Sequence, residues 1–162
     1  MATLHAHGIA AGLPGGFEGR IFKRMGTGPE LPFAVGHFAS FALPEEVGDF
    51  GGGAVHLMGN TDVFASLFEY GSDSLGTKLF AHQGMPRMLT TADFRPHVLR
   101  RGLSGQSGSQ WFFTEAGRPF TLYVVLGSHT RRALLVPRVN ELLGGLAVSP
   151  PPSPVTTGPT WN

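Results

Sequence analysis

Two histidines stand two residues apart near the start of the chain, His5 and His7. Residues two apart on a strand share a face, and paired imidazoles chelate copper, nickel or zinc. His5 and His7 are therefore candidate metal ligands. A third ligand would have to come from His37, His56, His82, His97 or His129, and no spacing argument selects one. The competing reading is two ordinary histidines near a frayed terminus.

Three other segments invite chemistry and fall short of it. Gly51-Gly52-Gly53 would cradle an anion if a helix began directly after it. It lacks the Gly-Lys-Ser/Thr of a phosphate loop, and His56 stands where a dinucleotide fingerprint needs its last glycine. A close-packed turn is the expectation. Ser104 and Ser107 lie among glycines, and with Asp93 and His97 a triad can be drawn on paper. The segment is not a nucleophile elbow, and triads are recognised by geometry, not by proximity in sequence. Glu45, Glu46 and Asp49 cluster without the ordered oxygen spacing of a calcium loop, so a solvated loop is expected. No catalytic motif is found, and no cofactor is expected.

Composition narrows the choice of function. The chain has 162 residues, which suits one domain, and no cysteine, which removes disulfides, thiolate metal sites and cysteine nucleophiles. Charged residues make up 14%, against about 25% in ordinary soluble domains. Twelve basic and eleven acidic residues leave a net charge of +1, spread without a block of one sign. Nothing here tracks a phosphate backbone, so nucleic acid is not an expected partner. No window approaches a membrane span, and the first residues lack a secretory pattern, so a cytoplasmic protein without membrane contact is expected. A weakly charged surface opposes association less than a charged one, which suits a surface covered by a partner.

The elements that would position these residues read mostly as strands. Period-two alternation marks 3–13, 17–24, 32–43 and 62–70, and the last is apolar on both faces, as a central strand is. Residues 110–115 and 119–126, joined by Ala116-Gly117, form a hairpin, with the aromatic cluster of Trp111, Phe112, Phe113, Phe120 and Tyr123 as core. Leu135, Val139, Leu142 and Leu146 recur at helical spacing, and Gly144-Gly145 supplies the stop. Pro137 fits if the helix starts just before it. Short helical pieces are expected at 54–58 and 77–82, and a short strand at 94–99. The sum is an α+β domain over 1–148: one antiparallel sheet of about six or seven strands with a C-terminal helix packed on one face.

The opening HGIAAGLPGGFEGRIFKR and the closing segments GRPFTLYVVLGS and RVNELLGGLAV resemble a group of small actinobacterial proteins and, more loosely, the α+β architecture of the PsbP-like proteins of photosynthetic complexes. The resemblance covers the two ends, about a third of the chain. It implies a fold whose relatives serve mostly as accessory or binding proteins.

Residues 149–162 form a proline-rich tail. Pro150, Pro151, Pro152 and Pro154 favour an extended polyproline course. Trp161 closes the tail, and buried aromatics are common interface anchors. These five are the expected partner-binding residues. The expectation is a non-catalytic structural or accessory protein, contacting a protein partner or itself through this tail. The alternative is a small-molecule or metal-binding module, using a pocket between sheet and helix or His5 and His7.

Overall fold

The computed structural model describes residues 2–24, 33–45, 53–96 and 105–151. Eight strands and one helix follow in chain order: β1 (Ala2–Ala6), β2 (Ile9–Leu13), β3 (Glu18–Arg24), β4 (Phe33–Ala39), β5 (Val63–Glu69), β6 (Ser107–Glu115), β7 (Arg118–Leu126), α1 (Arg132–Gly144) and β8 (Leu146–Val148). Single 3-10 turns lie at Ala54–Leu57, Ser72–Ser74, Lys78–Phe80 and Thr91–Asp93. The class is α+β.

The strands make two antiparallel sheets where one was expected. A three-stranded sheet has the order β1-β2-β8, and a five-stranded sheet has the order β3-β4-β5-β7-β6. The division begins at residues 3–13, which alternate as one strand but form a hairpin. His7 and Gly8 both take positive φ, 52° and 76°, so the chain reverses in two residues. That is the left-handed pair that the twist of a tight hairpin requires. Glycine is needed at Gly8 for a second reason: a side chain there would run into the Arg118 guanidinium.

β5 is central, and both of its faces are buried as its double-sided apolar pattern demands. On one face Val63, Ala65 and Leu67 join Leu122, Val124 and Leu126 of β7, Leu135, Val139, Leu142 and Leu143 of α1, and Ile9, Ala11 and Leu13 of β2 in one core. The helix therefore packs inside a core shared by both sheets. On the opposite face a smaller cluster gathers Ala39, Phe64 and Val125 under Ala54.

Pro137 lies inside α1, five residues beyond its start, and not in the first turn. It deletes the hydrogen bond its N–H would give to Ala133, at a cost of about 3 kcal/mol. Five buried side chains, Leu135, Val136, Val139, Leu142 and Leu143, outweigh that. At about 2 kcal/mol each they contribute about 10 kcal/mol before entropy. Packing, not propensity, fixes this helix.

Where both sheets and the chain's exit meet, Arg118 ties them together. Its guanidinium pairs with Glu69 in two bonds of 2.6 and 3.0 Å and donates to the carbonyls of His7 and Ser149 at 3.0 and 3.2 Å. Arg118 is buried, and a charge there is tolerable because every donor group has a partner. Ser149 also donates its N–H to Gly8 at 2.8 Å, so the chain stays attached to the β1–β2 turn just beyond β8.

Candidate functional site

One row of polar side chains crosses the face of the five-stranded sheet opposite α1. Arg20 stands opposite His37, His37 opposite Ser66, Ser66 opposite Tyr123, and Tyr123 opposite Gln110. The neighbouring rows are largely apolar: Phe22, Val35, Phe68, Thr121 and Phe112 on one side, Ala39, Phe64 and Val125 on the other. His37 and Ser66 are wholly buried. The imidazole lies between the rings of Phe22 and Phe64, at 5.1 and 5.6 Å between centroids. Arg20 Nε donates to His37 Nδ1 at 3.4 Å, and another guanidinium nitrogen donates to the Pro44 carbonyl. A guanidinium only donates, so Nδ1 accepts and the proton of the neutral ring sits on Nε2. Burial lowers the Arg20 pKa and raises that of the Tyr123 phenol, since it disfavours the charged form of each. The row ends in solvent at Gln110, on the outer strand.

That outer strand, β6, is closed at two points and, among the described residues, open between them. Gly108 exchanges both backbone bonds with Arg95, each 3.0 Å. Thr114 donates to the His82 carbonyl and accepts from Gly84 N–H, each 2.8 Å. Outward-pointing backbone groups alternate along a strand, so those of Gln110 and Phe112 also point away from β7. They have no backbone partner among the described residues. Beside this gap runs an open cleft of about 420 Å³, lined by Ala92, Asp93, Arg95, Ser109, Gln110 and Trp111. Trp111 is half-buried, and its indole N–H donates to Ser109 Oγ at 2.7 Å, which fixes the ring on the cleft floor. Asp93 caps its own 3-10 turn through Thr90, and this holds the cleft's carboxylate in place.

The residues singled out in the sequence fall elsewhere. His5 is an exposed residue of β1, but His7 sits in the turn with φ 52°, so strand alternation does not place the two on one face. Among the described residues no three His, Asp or Glu side chains gather as metal ligands do. Gly53 has φ 88° and precedes a 3-10 turn of four residues, too short to make an anion site; Gly51 and Gly52 lie outside the described residues. Glu45 is exposed, and Glu46 and Asp49 lie outside the described residues. Pro150 and Pro151 are exposed just after β8. Pro152, Pro154 and Trp161 lie outside the described residues.

Ser107 does meet a histidine, though not His97: its Oγ is 2.9 Å from His129 Nδ1. His97 and Ser104 lie outside the described residues, and Asp93 bonds Thr90. Ser107 is wholly buried, and His129 N–H is bonded to the Gly105 carbonyl at 2.6 Å. A serine with no exposed surface cannot meet a substrate carbonyl. The pair pins the segment after β7 against the start of β6.

The interface between α1 and the large sheet is filled by buried leucines and valines, and the cleft lies on the sheet edge instead. Among the described residues no helix is long and apolar enough to cross a membrane. No family model, curated protein or solved structure matches this chain.

Proposed function

We propose that this protein is a non-catalytic accessory module acting through protein–protein contacts, and that it takes an extended segment of a partner along the open stretch of β6. The observation that carries the reading is the gap at Gln110 and Phe112, four outward backbone groups with an aromatic-floored cleft beside them. Strand addition supplies affinity from main-chain bonds and specificity from alternate side-chain pockets. The low charge of the chain, 14%, agrees with a surface that a partner covers. The resemblance to PsbP-like architecture points the same way, toward accessory proteins. A cytoplasmic setting and a contact role for Pro150, Pro151, Pro152, Pro154 and Trp161 belong to this proposal.

Gln110→Pro tests it. Proline at that position removes only an outward N–H, so the β6–β7 ladder keeps its bonds. A photo-crosslinker at Ala92, exposed on the cleft, should trap a partner through an extended segment. The Gln110→Pro change should weaken that partner about tenfold or more, from the loss of one or two bonds of about 1 kcal/mol and a distorted edge. Unchanged binding would sink the proposal. The cleft favours a second reading, a small polar ligand held against Trp111 by Asp93, Arg95 and Gln110. Native mass spectrometry of freshly purified protein separates the two, because only the second predicts a bound small molecule.

A further inference from the structure

The open stretch of β6 is bounded differently on its two sides. Toward Gly108, the antiparallel bridge to Arg95 carries Phe94 into the place opposite Ser109. There the flanking chain turns off: Asp93 gives its N–H to the Thr90 carbonyl at 3.1 Å, at the 3-10 turn Thr91–Asp93, and not to β6. Toward Thr114, residues 82–84 lie in the layer in the parallel sense. Gly108 to Thr114 is about 20 Å of strand, and the flanking segments take part of it. A strand that passed through would have to leave the sheet layer twice within a few residues. A chain that ends there bends only once, on entering beside Phe112.

The charges on the Gly108 side decide which chain end fits. Arg95 is exposed and lines the cleft, and its guanidinium has no bonded partner among the described residues. Paired with Gly108, it shares a face with Gln110. The Asp93 carboxylate already accepts from the N–H and the hydroxyl of Thr90, at 2.7 and 3.1 Å. An uncommitted fork of donors suits a carboxylate, whereas an ammonium would find only the partly engaged Asp93. Antiparallel to β6, the third residue from such an end exchanges both bonds with Phe112. The penultimate side chain falls on the face of Trp111, whose half-buried ring takes an apolar group. The last residue reaches Gln110, and its carboxylate accepts from the Gln110 N–H and from Arg95.

We infer that the open stretch of β6 takes the C-terminal residues of a partner protein, running antiparallel, with the free carboxylate held by Arg95. The inference rests on the strand-addition reading above and narrows it from an extended segment to a chain end. An exposed ion pair of this kind raises affinity by up to about fivefold, and the main-chain bonds and the Trp111 contact supply the rest.

Acetylated pentapeptides randomised at every position, made once with a free carboxylate and once with a C-terminal amide, test this on the full chain. The acids should be retained about fivefold more strongly than the amides. Arg95→Gln should bring the two forms to within about twofold by weakening only the acids, and Arg95→Lys should keep part of the preference. The Arg95 side chain is exposed, so both variants should keep the parent's urea midpoint. An acid preference that survives Arg95→Gln would overturn the inference. So would equal retention of acids and amides by the parent; if Gln110→Pro then loses both forms, strand addition stands without the chain end. Retention of neither form would remove both readings.

Discussion

Tyr123 shows how one side chain reports on the polar row. It stands between Ser66 and Gln110, and burial raises its pKa above the ordinary value of about 10. A raised pKa means that the fold prefers the protonated phenol. Its contribution is fully present below about pH 10 and is lost as pH climbs from there through the folded-state value. We expect stability to urea to fall across that alkaline window and Tyr123→Phe to flatten the fall. The chain has two tyrosines, so absorbance titration should lose one of two tyrosinate transitions in the variant, the one displaced above pH 10. A variant with the same alkaline slope as the parent would show that the phenol is not what the fold protects. Little of this row is visible in the sequence. Alternation alone places His37 on one face with Phe33, Val35 and Ala39, and the structure agrees. That Arg20 and Ser66 flank it depends on register between segments 17 and 29 residues away, which no local pattern encodes.

At the level of elements, local patterns succeeded where one force decides the conformation. The alternation of β3, β4 and β5 and the β6–β7 hairpin with its Ala116-Gly117 turn all correspond to observed elements. The β1–β2 hairpin leaves no local signal, because a two-residue turn keeps the apolar alternation unbroken, and Ala6-His7-Gly8-Ile9 lacks the usual Asn-Gly signal. The two-sheet division depends on that turn. The Arg95 bridge is a single contact fixed by tertiary packing, so the gap it borders could not be read either. Pro137 falls inside the helix for a related reason: propensity places the start just before it, whereas five buried side chains fix the real one. Pro137 is exposed and loses no packing on truncation. Pro137→Ala should restore the missing bond and raise unfolding stability by about 1–3 kcal/mol, read from the urea midpoint at unchanged slope. A lower midpoint would mean that the ring supports a helix geometry on which the core depends.

For the molecule as a whole, weak charge and a plugged β6 edge describe one strategy. A net charge of +1 gives little repulsion between copies, so exposed strand edges would otherwise invite pairing. β6 is blocked by residues 82–84 and 95, which leaves room only for a short segment. The same economy of charge bears on how a partner is held. Contacts along β6 would be backbone hydrogen bonds and aromatic burial, and the cleft offers one acidic and one basic side chain, which nearly cancel. Partner affinity should therefore change by less than about threefold between 50 and 500 mM salt, because screening acts on net charge and not on main-chain bonds. Nucleic acid binding behaves oppositely, with affinity falling steeply as counterions are released. Titrating the crosslinked partner, in uncrosslinked form, against the full chain across that salt range makes the comparison. A flat response places the binding energy in the strand edge. A drop of a hundredfold would place it in the scattered arginines instead, and the β6 gap would then be a closed edge and nothing more.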